Sequence, residues 1–257
     1  MRRSTGTTTC RSTPTARREL VVLGAALNWC WRERHLDRLI PIRLPKPPTP
    51  RERHLTRAEA AALIWGALGF YRDANGVVRR NRDRINRHVA RFILIGLYTG
   101  TRHDAILSLQ WRANTTGGWF DLNARILYRR PQEAVETHKR RTTIPIPPRL
   151  VPHLTRWRKL TATHVIEYEG RAFAGQLRRA WQSARLLAGL DAKVTPHILR
   201  HTCATWLLQA GVTTFEVAGV LGCGEDVIRR VYGHHERGHL HAAVGAFSSR
   251  QRRLITG

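Results

Sequence analysis

T-P-H-I-L-R-H-T, residues 195–202, carries two structural signals and two chemical ones. Thr195 followed by Pro196 has the form of a helix N-cap and a first-turn proline, where the missing N–H costs nothing. Gly211 marks the point where that helix stops. His197 and Arg200 are three residues apart and share one face of it. Taken alone, H-x-x-R is more simply a solvated His/Arg face than a site, so its meaning depends on what accompanies it elsewhere in the chain.

Three further stretches accompany it. In Y-T-G-T-R-H-D-A-I-L-S-L-Q-W (98–111), Arg102 comes just after Gly100, which ends a helix near Ile85–Thr99, so Arg102 projects from a packed support. In E-T-H-K-R-R-T-T-I-P-I-P (136–147), Lys139 falls on a hairpin between strands, although only four of the 44 cationic residues are lysines. In L-G-C-G-E-D-V-I-R-R-V-Y-G-H-H (221–235), Tyr232 ends a short helix whose inner face carries Ile228 and Val231.

A tyrosine that cuts a phosphodiester needs few other groups. The transition state gathers negative charge on its non-bridging oxygens, and two guanidiniums clamp it with paired donors that stay charged at any working pH. The phenol must lose a proton and the departing 5′-oxygen must gain one. A lysine can give up a proton there, whereas an arginine effectively cannot. The arginines carry the electrostatic load, so neither a metal nor any other cofactor is implied.

A second chemistry overlaps the C-terminal stretch. His235-Glu236-Arg237-Gly238-His239 fits H-E-x-x-H, the zinc-protease pattern. Gly238 inside it disfavours the helix that this ligation requires, and His241 falls on the wrong face to be a third ligand. Tyr232, three residues upstream of His235, is the better candidate.

Composition agrees with a phosphate-rich partner. Lys+Arg number 44 against 18 Asp+Glu, a net charge of +26 with pI near 11.6, and the excess runs along the whole chain. A GC-rich genome explains arginine over lysine but not the shortage of acids. Such a surface suits a polyanion, with nucleic acid foremost. Cys10, Cys30, Cys203 and Cys223 have no C-x-x-C spacing, which disfavours a disulfide framework or a zinc ribbon. No apolar run approaches a membrane span and no secretory leader is visible, so the expected location is cytoplasmic, with no membrane partner.

The 257 residues suffice for one sizeable core and a smaller appendage. Residues 1–15 read as a polar, disordered tail, and 16–40 as helical, with Leu20, Leu23, Leu27 and Trp31 at helical spacing. Residues 41–53, rich in proline, read as an extended tether. Residues 54–245 form the main domain, and 246–257 are a basic tail. Within the main domain, Thr56-x-x-Glu59 and Thr213-x-x-Glu216 have capping-box form. Further helices are expected near 148–160 and 173–187. Trp119–Arg130 and Thr142–Ile146 look like strands. The expected fold is mainly α with a small antiparallel β-sheet, an α+β domain.

The order and spacing of Arg102, Lys139, His197-x-x-Arg200 and L-G-x(9)-Y ending at Tyr232 resemble the tyrosine recombinase (phage integrase) family, over about residues 54–240. The resemblance implies that Arg102 and Arg200 bind the scissile phosphate and that His197 assists proton transfer. It also implies Lys139 as the acid toward the 5′-oxygen and Tyr232 as the nucleophile that forms a 3′-phosphotyrosyl link. Residues 17–40 are similar to the last helices of the family's core-binding domain. Double-stranded DNA attachment sites, a homotetramer in the synaptic complex and accessory DNA-bending proteins are the partners implied.

Three departures qualify the pattern. Cys223 stands nine residues before Tyr232, where the family usually has His or Trp, and a thiol is a poor donor to phosphate. That role then weakens, or passes to His234 or His235. Ala105 replaces an acid common three residues after the first arginine, and the adjacent Asp104 is expected to point elsewhere. Fewer than about forty ordered residues precede the tether, about half of what a full core-binding domain needs. The expected activity is site-specific recombination; the alternatives are a DNA-binding remnant without catalysis and, behind it, a type IB topoisomerase.

Overall fold

The computed structural model describes residues 13–46, 53–133, 141–173 and 177–232. The chain divides into two units, Met1–Arg51 and Glu52–Gly257. In the first unit, α1 (Thr13–Arg32) is followed by a turn and an extended segment to residue 46. The Arg17 guanidinium reaches back to the carbonyl of Pro45. Among the described residues of this unit none is buried, and Val21, Val22, Trp29 and Trp31 are all exposed.

The second unit begins with α2 (Arg57–Ala67), started by Thr56 in the expected capping box: Thr56 Oγ1 accepts from the Glu59 N–H at 3.1 Å, and Glu59 Oε2 accepts from the Thr56 N–H at 2.8 Å. A hairpin of β1 (Phe70–Arg72) and β2 (Val78–Arg80) follows. Its turn, Asp73-Ala74-Asn75-Gly76, has Gly76 at φ +77°, where an N-G pair is at home. Then come α3 (Arg87–Thr99) and the short α4 (His103–Leu107). The strands β3 (Trp119–Asp121), β4 (Ile126–Tyr128) and β5 (Ile144–Pro145) make an antiparallel sheet in that order. The helix α5 (Val151–Arg158), the small hairpin of β6 (Glu167–Tyr168) and β7 (Arg171–Ala172), and α6 (Arg178–Leu187) complete the first part. The chain then runs through α7 (Ile198–Gln209), α8 (Thr214–Leu221) and α9 (Glu225–Tyr232).

The described residues therefore hold three small antiparallel sheets where one was expected, within a mainly helical α+β domain. Helix α7 starts at Ile198, with His197 rather than Thr195 in the N-cap position and no cap bond from its side chain. The stop at Gly211 (φ +84°) and the capping box of Thr213 and Glu216 both occur as expected.

Apolar burial forms two clusters. The larger gathers α2, α3, α5, α6 and the three-stranded sheet around Phe92, Phe120, Leu127, Leu154 and Trp181. The smaller joins Cys203, Ala204 and Leu208 of α7 to Val217, Ala218 and Leu221 of α8 and to Ile228 and Tyr232 of α9. Helix α7 also gives Ile198 and Leu199 to the larger cluster, so it passes from one to the other. It lies tight against α3, where a Cβ on Gly96 would stand 2.7 Å from Leu199 Cδ1.

Candidate active site

The site forms where α7 crosses between the two clusters. Helix α3 ends on Gly100 in the left-handed conformation (φ +61°), and a Cβ there would stand 2.2 Å from Leu221 Cδ2. A side chain would be strained on both counts. This sharp stop swings the chain through Thr101 to Arg102, the N-cap residue of α4.

Three arginines knit the main chain together at this point. Arg102 Nη2 donates to the carbonyl of Gly222 at 3.3 Å, and Arg200 Nη1 donates to that of Gly100 at 2.8 Å. Arg129, just after β4 and 3% exposed, donates to the carbonyls of Thr99 and Val220. The turns bearing Arg102 and Cys223 are thereby tied to each other and to α7. Burial pushes the Arg129 guanidinium down to about 9, and the nearby Arg200 adds to this. Arg200 is also held below the usual range, by burial first and by Arg102 second. Among the described residues neither Arg129 nor Arg200 has a carboxylate ion pair. Like charges crowded out of water favour an incoming anion.

Thr101, Arg102, Ala105, Arg129, Arg141 and Arg200 line a cleft of about 80 Å³. Asp104 borders it too, but its side chain is exposed and its carboxylate pairs with His103 Nδ1 at 3.0 Å. Ala105 is buried. Lys139 lies outside the described residues, although Arg141, two positions on, lines the cleft. His234, His235 and the H-E-x-x-H stretch likewise lie outside them.

Tyr232 is buried at the end of α9, with its hydroxyl 2.6 Å from His201 Nδ1. Burial pushes the phenol up to about 12, against the pull of Arg200. Cys223 is half-buried in the turn just after α8, packed on the smaller cluster and close enough to Arg200 and Tyr232 to act on both. His197 is exposed at the start of α7 and acts electrostatically on His201. The fold thus gathers Arg102, His197, Arg200, Cys223 and Tyr232 from three separated stretches of sequence.

Two residues escaped the sequence reading. Arg129 carries no signal, because an arginine after a strand is unremarkable in so basic a chain. His201 had one: it lies four residues after His197 and hence on the same helix face.

A model described as the phage integrase family matches residues 78–239. The integrase of Salmonella phage P22 is 24% identical over 216 residues, which cover 80% of this chain and 49% of that protein. The tyrosine recombinase XerC of Ralstonia pickettii is 26% identical over 218 residues, covering 77% and 61%. The chain thus spans about half to three fifths of the length of these two relatives. Among solved structures, the Tn1549 transposon integrase in complex with transposon right end DNA superposes with a TM-score of 0.66 at 16% identity, covering 93% of this chain and 81% of that one. The XerH site-specific recombinase bound to difH substrate gives 0.61 at 18%, covering 95% and 68%. These structures share the fold, and with the family match they place the sequence: the chain belongs to the phage integrase family, the tyrosine recombinases.

Proposed function

We propose that the protein is a site-specific DNA recombinase that cuts and rejoins double-stranded DNA through a 3′-phosphotyrosyl intermediate. The observation that carries this reading is the meeting of Arg102 and Arg200, brought from distant stretches, in one cleft, with the buried Tyr232 near enough to Arg200 to feel its charge; among the described residues Arg200 has no carboxylate ion pair. Arg102 and Arg200 hold the non-bridging oxygens of the scissile phosphate. Tyr232 attacks the phosphorus, and the 5′-oxygen leaves with a proton from Lys139. His197, at the exposed lip, assists proton transfer, and Cys223 occupies the position of a ring donor. Because the bond energy is kept in the phosphotyrosine, rejoining needs no nucleotide.

The whole protein's assembly follows from the same reading. Residues 16–40 are part of a helical core-binding domain, 41–53 its tether and 54–245 the catalytic domain. A homotetramer on paired attachment sites, assisted by DNA-bending proteins in the cytoplasm, is the working complex. The DNAs named for the Tn1549 integrase and XerH structures support duplex DNA as the substrate.

The test is a duplex nicked near the cleavage point, which traps the covalent adduct. Wild type should give a protein–DNA band that survives denaturation and persists in EDTA. Tyr232→Phe should abolish it while leaving DNA affinity within a few-fold, because the phenol oxygen is the nucleophile and little else. Adduct persisting in Tyr232→Phe would move the nucleophile elsewhere, and a mobility shift without adduct in wild type would make the protein a DNA binder.

A further inference from the structure

We infer that His201, through its Nδ1, is the group that orients Tyr232 and accepts its proton as the nucleophile attacks. The inference rests on the recombinase reading above and adds to it a base that neither the sequence pattern nor the family match assigns. Three observations support it. The Tyr232 hydroxyl lies 2.6 Å from His201 Nδ1, with ring centroids 5.7 Å apart and the planes tilted by 51°, so the phenol approaches the ring edge, where the nitrogen lone pair lies. Tyr232 is buried and His201 half-buried, so water does not compete freely for the pair. His197, the other histidine of the motif, is exposed at the start of α7, one turn away from this hydrogen bond.

The charges around the pair suit the role. Among the described residues, the titratable and charged groups acting on His201 are Tyr232 from α9, and His197 and Arg200 at the start of its own helix. Burial, then His197 and Arg200, hold the imidazole below its usual range, so at neutral pH it is uncharged and able to accept. With its own proton on Nε2, Nδ1 accepts the phenol O–H. A phenol pushed up to about 12 keeps its proton until attack, so the proton must leave in the transition state. In the forward step the Tyr232 Oη–P bond forms and the P–O5′ bond breaks. The phenol proton passes to His201, which becomes imidazolium, and the 5′-oxygen takes a proton from the separate acid. Rejoining reverses every transfer. His197 is then free to serve the phosphate or the leaving group at the lip.

The experiment is single-turnover cleavage of the nicked duplex by the full chain between pH 5.5 and 9, for wild type, His201→Ala and His201→Asn. Wild type should rise with pH and level off once His201 is neutral. His201→Ala should cleave about 10²-fold more slowly at pH 7.5 or below, a common contribution for a positioned base. Its rate should keep rising with pH, because hydroxide must now take the proton, and DNA affinity should stay within a few-fold. His201→Asn keeps an acceptor without basicity. It should recover part of the loss at low pH and show the same unlevelled rise, with thermal unfolding near wild type to verify the fold. A levelled profile in both variants, or a wild-type rate in His201→Asn, would overturn the inference while the Tyr232 adduct still supported recombination. No adduct in wild type would overturn the recombinase reading first.

Discussion

The two apolar clusters divide the work of the site. The larger one supports the turn that carries Arg102, through α3 and its Gly100 stop, and draws on side chains from six helices and a sheet. The smaller one supports Tyr232 and draws on short contributions from α7, α8 and α9, with Ile228 and Tyr232 as its buried residues from α9. Helix α7 belongs to both, and Arg200 and His201 sit where it crosses. On the proposed reading, the turn of Arg102 is therefore set in the stable body of the domain, whereas Tyr232 rides on a light, separable element. Local opening energies follow buried apolar contact. An enzyme that must bring a tyrosine to and from a phosphate gains from this inequality.

The largest difference should come from removing one anchor in each cluster. Phe92→Ala, at the heart of the larger cluster, should cost about 3–5 kcal/mol of global stability, read as a lower denaturation midpoint. Ile228→Ala should leave that midpoint nearly unchanged. It should instead open the amides of α9 to hydrogen exchange and reduce adduct formation, with DNA binding retained. Equal loss of global stability in both variants would show that the clusters unfold as one.

The clamp comes next. Arg102→Ala and Arg200→Ala should each slow cleavage by about 10²–10³, the usual cost of one donor to a transition-state oxyanion. Arg200→Lys should recover little, because a point charge cannot reproduce a guanidinium fork that also spans to the Gly100 carbonyl. Single-turnover rates on the nicked duplex measure all three, and a loss of less than tenfold in either alanine variant would remove that arginine from the clamp.

A smaller effect should follow at the seam between the clusters. Gly100→Ala meets both a left-handed φ of +61° and the Leu221 side chain, so about 1–3 kcal/mol of stability should be lost. The loss should be accompanied by slower cleavage, because Leu221 belongs to the smaller cluster and Gly100 to the turn before Arg102. Unchanged stability would mean that Leu221 simply moves aside.

Much of this arrangement was legible in the sequence because local chemistry wrote it there. Both capping boxes, the Gly100 and Gly211 stops and the short helix that carries Tyr232 follow from a few adjacent residues, and each occurs. The β1–β2 hairpin is marked by Asn75-Gly76, a strong turn signal, but its strands are only three residues long and β2 is exposed and arginine-rich, so no apolar alternation marks them. The start of α7 lies two residues later than Thr195-Pro196 suggests, because Thr195 looks like a cap while His197 occupies the position. Arg129 was illegible for a different reason. Its role depends on two carbonyls, those of Thr99 and Val220, which are distant in sequence and meet only when the two clusters pack. His201 lies between these extremes: its spacing from His197 was visible, but its hydrogen bond to Tyr232 depends on how α9 folds back on α7.

The smallest expected effect concerns Cys223, which belongs to the edge of the smaller cluster and stands near both Arg200 and Tyr232. A thiol donates weakly, and an imidazole at this position could add one hydrogen bond to a charged phosphate oxygen in the transition state. Such a bond is worth about 1.5–3 kcal/mol at full strength. The half-buried position and the anchoring of Cys223 N to the Ala218 carbonyl at 3.1 Å leave the larger ring to find its own room, so the lower end of that range applies. Cys223→His should therefore raise the single-turnover cleavage rate by about tenfold, with DNA affinity unchanged. Cys223→Ser, which keeps the size and improves the donor only modestly, should fall between the two. A rate that drops in Cys223→His while His234→Ala or His235→Ala also slows cleavage would mean that a histidine beyond Tyr232 already fills the role. In that case the smaller cluster would bring to the phosphate a donor as well as the nucleophile.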